Sequence, residues 1–331
     1  MGKPIIGVLM GDPSGVGPEL LAKLAGSGKL TAECRPVMLG DVRVFADALK
    51  QFHEQAKYEI IEDITPDLQE DRIYIMDLKD IDPASVKMGE VSKECGATCN
   101  RQIRESVRLA KEGKIKGIFF APFNKTAMLM AGATKPSESE QFAELFDVPE
   151  GSYSEVNMVD GVWTTRVTSH IPMKAVSDHL TVERILDSIQ LIDRTVKQAG
   201  ISHPRIGVAA YNPHAGEHGL CGDEEITRIA PAIEKARELG MDVQGPFPSD
   251  TLFVRTFDGD MDAIVTMYHD QGQIALKLHN FRKCITIETG YPVPVTTCAH
   301  GTAHNIAGQG IASTLAFESA LKTICAMAAE R

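Results

Sequence analysis

The chain has 331 residues, of which 43% are hydrophobic and 24% charged, and its formal net charge at pH 7 is −11. This length exceeds the roughly 250 to 300 residues at which one hydrophobic core stops growing, and therefore predicts two domains. The negative charge argues against broad nucleic-acid binding, which needs a clustered basic face. No apolar run is long enough to cross a bilayer, so we expect no membrane partner and a cytoplasmic protein.

Strand-like apolar runs alternate with helix-length amphipathic segments, which predicts an α/β fold with a largely parallel sheet. The first run, PIIGVLM, is followed by GDPSGVGPELLAKLA, in which Pro18 and Glu19 suit the first turn of a helix. Because its glycines match neither GxGxxG nor a P-loop, we interpret this segment as a tight strand-to-helix turn. The later runs are RPVMLG, RIYIMDL, KGIFFAPF, RIGVAAYN, DAIVTMY and CITIET.

The cysteines form an odd set of seven without paired CxxC spacing. This pattern predicts reduced thiols rather than a disulfide framework or a structural zinc site. They are Cys34, Cys95, Cys99, Cys221, Cys284, Cys298 and Cys325.

Three histidines follow three strand-like runs, each in a polar loop: His170 in RVTSHIPMK, His214 in VAAYNPHAGE and His269 in IVTMYHDQG. In parallel sheets, ligands bind outside the carboxyl ends of the strands. Histidine is the commonest metal ligand, and three such ligands leave positions for substrate or water. Each histidine taken alone is better explained as a hydrogen-bonded structural residue, so spacing by itself leaves both interpretations open.

Other candidate residues lie in similar places. Lys125 and Lys277 each follow an apolar run and could meet a phosphate or carboxylate, although most lysines are solvated. Asp270 and Glu217 are available to orient imidazole rings, or simply to cap helices. The Gly/Ala-rich segment HGTAHNIAGQGIAS, residues 300–313, permits close approach of a ligand but equally suits a helix-packing turn.

Seven motifs in order resemble the 4-hydroxythreonine-4-phosphate dehydrogenase family of vitamin B6 biosynthesis, from about residue 5 to residue 325. The last motif also resembles the cofactor loop of isocitrate and isopropylmalate dehydrogenases. The resemblance implies two α/β/α domains with a cleft between them, residues 1–125 plus 300–331 and residues 126–299. The motifs are MGDPSGVGPE, APFNKTA, SHIPMKAV, NPHAGEHGLCGDEEI, GPFPSDTLF, MYHDQGQIALK and HGTAHNIAGQG.

The activity implied by this resemblance is a metal-dependent, NAD-linked oxidation of a CH-OH group in a small phosphorylated four-carbon acid, followed by decarboxylation. It further implies a homodimer with the active site near its interface. The ion, zinc or else magnesium, manganese or cobalt, would be held by His170, His214 and His269. Lys277 would contact substrate and relay a proton, and Asp250 would handle protons, support the site or merely cap a helix. The implied cofactor-binding residues are His300, Gly301, Thr302, Ala303, Asn305 and Gly308.

Two sites depart from the vitamin B6 pattern. A substrate-contacting His-Thr pair of the family is replaced here by Glu138 and Ser139, and an Asn and an Arg fall on Thr286 and Val295. Losing an arginine removes a bidentate donor for carboxylate or phosphate, so substrate recognition is expected to differ. The changes favour a second branch, similar to enzymes acting on D-threonate 4-phosphate or D-erythronate 4-phosphate. The alternatives are 4-hydroxythreonine 4-phosphate as substrate, a metal-dependent hydrolase or lyase, and a catalytically idle binding protein.

Overall fold

The computed structural model describes residues 2–329, which form two compact units. Unit 1 comprises the described residues up to Ser154 and those from Ile285 onward, and unit 2 comprises Glu155–Cys284. The predicted division placed residues 126–154 and 285–299 in the second domain, whereas in the structure they belong to unit 1. Short helices that follow residue 124 pack against the long helix Lys93–Lys111 of unit 1, which explains the difference.

The elements are numbered in chain order. The strands are β1 (Ile5–Leu9), β2 (Arg35–Gly40), β3 (Tyr58–Ile60), β4 (Ile73–Asp77), β5 (Gly117–Phe120), β6 (Ser154–Val159), β7 (Val162–Arg166), β8 (Ile206–Ala209), β9 (Val243–Phe247), β10 (Ala263–Thr266), β11 (Ile285–Thr289) and β12 (Val295–Cys298). The α-helices are α1 (Gly17–Gly26), α2 (Lys29–Glu33), α3 (Val42–Gln51), α4 (Lys93–Lys111), α5 (Lys125–Met130), α6 (Glu138–Phe146), α7 (Val176–His179), α8 (Val182–Gln198), α9 (Ala230–Glu238), α10 (Ser249–Phe257), α11 (His269–Asn280) and α12 (Leu315–Ala329).

The strands of unit 1 have the order β3-β4-β2-β1-β5-β12-β11. All neighbours in this series are parallel except β11 with β12. Strands β1 and β5 are buried along their whole length, which is why IIGVL and GIFF lack polar alternation. The loop that leaves β1 leads directly into α1, as predicted for the segment beginning at Gly11.

The strands of unit 2 have the order β6-β7-β10-β8-β9. The series from β7 to β9 is parallel, and β6 joins β7 as an antiparallel hairpin. The hairpin turns at Asp160 and Gly161, which both have positive φ (47° and 88°). Asp-Gly is the usual sequence for such a turn.

The predicted α/β class is confirmed, since helices alternate with mostly parallel strands in both units. The apolar runs identified in the sequence correspond to β1, β2, β4, β5, β8, β10 and β11. Among the helices of residues 2–329, none combines the length and the apolar character needed to span a bilayer.

Candidate metal and substrate site

The carboxyl ends of three adjacent strands in unit 2 are followed by the three candidate histidines. His170 follows β7, His269 follows β10 and His214 follows β8. Because β10 pairs in parallel with both β7 and β8, these three ends share one edge of the sheet. The three histidines that the sequence places after strands therefore lie at the same edge of the sheet in unit 2.

The imidazole rings of His170 and His269 lie close together. Their centroids are 5.5 Å apart and their planes are inclined by 40°. Both residues line a cavity of about 240 Å³. The lining of this cavity also includes the apolar side chains of Ile171, Met173 and Val176. The pair thus faces a small recess that combines two nitrogen donors with apolar side chains.

A carboxylate orients the ring of His269. Nδ1 of His269 lies 2.7 Å from Oδ1 of Asp270. A neutral imidazole that donates its Nδ1–H to a carboxylate presents the Nε2 lone pair, which is the arrangement typical of metal-ligating histidines. The backbone of His170 is also unusual, with a φ of 43°. Non-glycine residues seldom occupy this left-handed region except where the surroundings enforce it.

His214 lies in a left-handed turn. Five consecutive residues, His214 to His218, have φ between 46° and 78°. Only one of them, Gly216, lacks a Cβ atom, and each of the others is disfavoured there by about 1–2 kcal/mol. Backbone strain of this kind is concentrated at functional sites, where neighbouring structure must hold it in place.

A buried glutamate, Glu225, holds the entrance to this turn. Its Oε1 accepts hydrogen bonds from the backbone N–H groups of Tyr211 (2.8 Å) and Asn212 (2.7 Å), and its Oε2 accepts one from Asn212 Nδ2 (3.0 Å). Glu225 is only 3% exposed and begins a π-helical turn, Glu225–Ile229. Burial opposes ionisation of the neighbouring Glu224, but hydrogen bonds from Ser177 and Asn212 hold its pKa below the usual value.

Glu225 was not predicted as a supporting residue. The only available signal was the run of acids in GDEEI, directly after the histidine motif. A second missed support is Gln271, whose Nε2 donates to the carbonyl of Ala210 (2.7 Å) while its Oε1 accepts from the N–H of Met267 (2.7 Å). Gln271 thereby ties the loop after β8 to the loop after β10.

Two of the three predicted metal ligands are brought together. One ion with metal–nitrogen bonds of about 2.0–2.1 Å can be shared by two imidazoles at the separation of His170 and His269. Within residues 2–329, no three or more His, Cys, Asp or Glu side chains are grouped so that they could hold a metal ion. His170 and His269 are thus neighbouring imidazoles, and the binding of a divalent ion by His170, His214 and His269 stays a prediction.

Asp250 and Lys277, the two predicted catalytic residues besides the histidines, are both exposed. Asp250 is exposed in the first turn of α10 and lines a cavity of about 330 Å³ together with Tyr268 and Asp270. Its Oδ1 accepts a hydrogen bond from the N–H of the next residue, Thr251 (2.9 Å), but the N-cap position is Pro248 and, among residues 2–329, no side chain caps α10, so the predicted capping role is wrong. Lys277 is exposed on α11, eight residues after His269, which corresponds to about 12 Å along the helix axis. Their catalytic roles remain predictions.

Apart from Lys277, the predicted substrate-contact positions belong to unit 1. Glu138 pairs with Lys125 at 3.2 Å, and Ser139 is buried with its hydroxyl 2.9 Å from that of Tyr291. Thr286 is partly exposed on β11. Val295 is fully buried in the hydrophobic core. Glu138 and Thr286 are thus the more accessible of the four, and a contact with substrate stays a prediction for each.

The predicted cofactor residues form a loop, residues 300–308, that is largely accessible. Gly301 and Asn305 are exposed, and His300, Ala303 and Gly308 are partly buried. Thr302 is buried, and its carbonyl accepts a hydrogen bond from the N–H of Val16 (3.0 Å). This segment therefore packs on the loop that follows β1, a contact that was not predicted from the sequence.

A larger cavity, of about 720 Å³, lies elsewhere in unit 1. It is bordered by residues at the amino ends of β1, β2 and β5, such as Pro4, Arg35 and Lys116. None of the predicted site residues lines it. Because ligands of open α/β sheets bind at the carboxyl ends of strands, the histidine edge is the stronger candidate despite its smaller volume.

Comparisons with known proteins place the chain in a family. The profile of the family described as "Pyridoxal phosphate biosynthetic protein PdxA" matches residues 32–324. A "Putative 4-hydroxythreonine-4-phosphate dehydrogenase 2" of Rhizobium meliloti is 40% identical over 99% of this chain and 94% of its own length. A "Putative D-threonate 4-phosphate dehydrogenase" of Symbiobacterium thermophilum is 35% identical over 97% and 95%.

A solved structure gives the same result. The crystal structure of a 4-hydroxythreonine-4-phosphate dehydrogenase from Burkholderia phymatum superimposes with a TM-score of 0.85 at 35% identity and covers 99% of both chains. The resemblance inferred from seven motifs is thereby confirmed over almost the whole sequence. The chain belongs to the PdxA family, whose relatives compared here are named as dehydrogenases.

Proposed function

We propose that this protein is a metal-dependent, NAD-linked dehydrogenase that oxidises and decarboxylates D-threonate 4-phosphate or D-erythronate 4-phosphate. The products are dihydroxyacetone phosphate, CO2 and NADH. Hydride leaves the carbon that bears the hydroxyl group β to the carboxylate, and the resulting β-keto acid loses CO2. The hydroxyl proton is returned to the α-carbon after decarboxylation, so atoms and charge balance without a further reactant.

The observation that carries the proposal is the facing pair of His170 and His269 rings at one edge of unit 2, with centroids 5.5 Å apart. The chemistry supplied by a bound divalent ion is Lewis-acid polarisation of the substrate oxygens, and that supplied by nicotinamide is hydride acceptance. Asp270 keeps the Nε2 atom of His269 available as a ligand. His214 completes the proposed ligand set from the strained turn that Glu225 supports.

Proton handling is assigned to residues near the histidine pair. Asp250 lines a cavity with Asp270 and is exposed, so its carboxylate is accessible to a substrate proton. Lys277 is proposed to bind the phosphate or carboxylate as a point charge. Zinc is the preferred ion because of the imidazole ligands, with magnesium, manganese or cobalt as alternatives.

Two departures from the vitamin B6 pattern guide the choice of substrate. Glu138 occupies the predicted place of a histidine, and its carboxylate is paired with Lys125 at 3.2 Å. Val295 occupies the predicted place of an arginine and is buried in the core. These differences favour an acid bearing a hydroxyl in place of the amine of 4-hydroxythreonine 4-phosphate. The name of the Symbiobacterium relative agrees with this choice, whereas that of the Rhizobium relative agrees with the aminated substrate.

A substrate panel tests the proposal. Purified protein with NAD and Zn²⁺, Mn²⁺ or Mg²⁺ is offered D-threonate 4-phosphate, D-erythronate 4-phosphate and 4-hydroxythreonine 4-phosphate, and NADH is followed by absorbance at 340 nm. We expect the highest kcat/KM with one of the first two acids and an equivalent release of CO2. Highest activity with 4-hydroxythreonine 4-phosphate would instead support the vitamin B6 reaction. Product formation without nicotinamide would support a hydrolase or lyase and refute the dehydrogenase.

We also infer a homodimer, because apolar side chains project from unit 2 near the candidate site. Ile274 and Leu278, four residues apart on one face of α11, are 57% and 82% exposed. Exposed apolar patches of this kind are typical of protein interaction surfaces. Light scattering coupled to size exclusion should give twice the chain mass of 36.0 kDa. The variant Leu278→Glu should shift the protein toward the monomer, and a monomeric wild type would refute the inference.

A further inference from the structure

Two buried residues, Asp12 and Ser14, and the half-buried His304 of the proposed cofactor loop form a cluster that takes no part in the function proposed above. Asp12 and Ser14, in the loop after β1, are both 0% exposed. Oδ1 of Asp12 accepts hydrogen bonds from the backbone N–H and the Oγ of Ser14, each at 2.8 Å. Nε2 of His304 lies 3.4 Å from Ser14 Oγ and 4.0 Å from Asp12 Oδ2.

This arrangement differs from that of a nucleophilic triad. In a triad the histidine lies between the acid and the serine and accepts the serine proton. Here Ser14 already donates its proton to Asp12, and the serine is closed to solvent. His304 can therefore act only as a donor toward Ser14 Oγ or Asp12, which makes the cluster a structural link rather than a reaction centre.

The second oxygen of Asp12 indicates what the link is for. Among the described residues, Asp12 Oδ2 is a buried atom without a hydrogen-bond partner. A buried carboxylate oxygen is strongly favoured to acquire a donor. His304 Nε2, at 4.0 Å, is close enough to become that donor after a displacement of about 1 Å, since such charge-assisted bonds are about 2.7–2.9 Å long.

His304 is also the middle of a segment that is fixed at both ends. Upstream, the carbonyl of Thr302 accepts a hydrogen bond from the N–H of Val16. The two loops are in close contact there, because a Cβ atom added at Gly15 would lie only 2.9 Å from Thr302. Downstream, the N–H groups of Gly310 and Ala312 donate to the buried Glu19 (3.2 and 2.7 Å). The intervening residues, 303–309, have fewer such anchors, one being the bond from Gln51 Nε2 to the carbonyl of Gly308 (3.0 Å).

We propose that His304 is a positioning residue, which latches the middle of the cofactor loop, residues 303–309, onto the buried Asp12–Ser14 pair. The latch holds the loop in the conformation that binds the nicotinamide cofactor, so less ordering is required when the cofactor binds. The part concerning the cofactor rests on the function proposed above. The part concerning the loop does not, because the Asp12, Ser14 and His304 contacts belong to the chain alone.

Hydrogen exchange of the protein without cofactor tests the latch directly. The amides of Ile306 and Gln309 donate to Ala303 and Ile306 carbonyls within the loop, so their exchange reports its order. In His304→Ala we expect residues 303–309 to exchange about tenfold faster. His304→Gln, which keeps a side-chain N–H donor, should exchange nearly as slowly as the wild type. His203→Ala, which removes an exposed loop histidine of unit 2, is the matched control.

Binding of NADH, followed by its fluorescence, tests the consequence. We expect the Kd for NADH to rise about tenfold in His304→Ala and in Ser14→Ala, with little further rise in the double variant because both act through one link. Turnover at saturating NAD should change by less than about threefold, since positioning acts on cofactor binding.

Three outcomes are decisive. Unchanged exchange of residues 303–309 in His304→Ala overturns the latch, as does a His304→Gln variant as loose as the alanine variant. Faster exchange in His304→Ala, together with a wild type that binds no NADH, upholds the latch but refutes the dehydrogenase function.

Discussion

Two buried glutamates hold the two loops most important to the proposed function, and they do so in different ways. Glu19 in unit 1 accepts from the N–H groups of Gly310 and Ala312, and Glu225 in unit 2 accepts from those of Tyr211 and Asn212. Both side chains are almost completely buried. Each glutamate thus supplies the acceptor that a loop at the end of a strand cannot obtain from the sheet.

The difference lies in what else surrounds each carboxylate. Glu19 is paired at 2.7 Å with Lys23, whose ammonium group also donates to the carbonyls of Gly310 and Ala312. Glu225 has no Lys or Arg within ion-pair distance among residues 2–329, and it supports a turn of left-handed residues. The loop of unit 1 is therefore held by a neutralised network. The entrance to the turn of unit 2 is held by Glu225 together with Glu224, whose Oε2 accepts from Asn212 Nδ2 at 2.6 Å. Substitution of Glu225 should consequently lower metal affinity at the site, whereas substitution of Glu19 should lower the free energy of unfolding.

The largest effect is expected at the histidine edge itself. His269→Ala removes one of the two paired rings, so turnover should fall to background and metal should be lost on dialysis. The thermal midpoint without metal should stay close to that of the wild type, because His269 is not a core residue. Metal content is measured by inductively coupled plasma mass spectrometry, with His203→Ala as control. Full metal content in His269→Ala would contradict the assignment of this ligand.

The next largest effect is expected from Glu225→Gln. One amide oxygen cannot replace both carboxylate oxygens, so the turn containing His214 should relax from its strained conformation. Supporting residues of metal sites typically change affinity by about 10–100-fold, and we expect a loss of metal affinity in this range by calorimetric titration. The control is Glu234→Gln, an exposed glutamate on α9. Wild-type affinity in Glu225→Gln would indicate that His214 does not bind the metal.

Glu19→Gln should produce the complementary result. It weakens the bonds to Gly310, Ala312 and Lys23, and we expect the free energy of unfolding to fall by about 1–3 kcal/mol in urea titrations. Metal affinity should be unchanged. A loss of metal affinity in Glu19→Gln would contradict the view that Glu19 supports stability and Glu225 supports the metal site.

The smallest effect is expected on the alkylation rates of two cysteines that lie next to the two loops. Cys298 lies just before the loop of unit 1, and burial raises its pKa to about 12, whereas Cys221 lies just after the turn of unit 2 and is exposed. At pH 8 iodoacetamide should modify Cys221 rapidly and Cys298 slowly, as measured by peptide mass spectrometry. Glu19→Gln should accelerate the reaction of Cys298 alone. Equal rates at the two thiols in the wild type would contradict this description.

The raised pKa of Cys298 also has a consequence for stability. The folded state favours the neutral thiol of Cys298 over the thiolate. The contribution of this thiol to the free energy of unfolding is therefore fully present below the pKa of the unfolded thiol, near 8.5, and is lost as the pH rises toward 12.

Much of the fold was predictable from local pattern. Buried parallel strands such as IIGVL and GIFF are continuous apolar runs, and the loop after β1 leads into a helix as its proline and glutamate predict. The hairpin of β6 and β7 was missed although Asp160 and Gly161 signal it. The division of the chain was not predictable, because it depends on the packing of α5 and α6 against α4.

The candidate site was predictable only in part. Strand ends pointed to the three histidines, since polar residues after apolar runs gather at one edge. Glu19 was interpreted only as an acid that favours a helix amino end, because Gly310 and Ala312, the loop residues that donate to it, lie 291 and 293 residues away. A partner of His304 could not be inferred from the sequence for the same reason, since Ser14 lies 290 residues away. Contacts between loops so distant in the chain follow from topology, which local pattern does not contain.

The return of the chain to unit 1 affects its synthesis on the ribosome. Strand β12 lies between β5 and β11, so the apolar strand β5 lacks a neighbour on one side until residues 295–298 have emerged. Unit 2, made of one continuous stretch, can complete its parallel strands earlier. We therefore expect the nascent chain to expose the GIFF strand as an unpaired edge for most of translation, and this segment to be its main site of chaperone binding or aggregation.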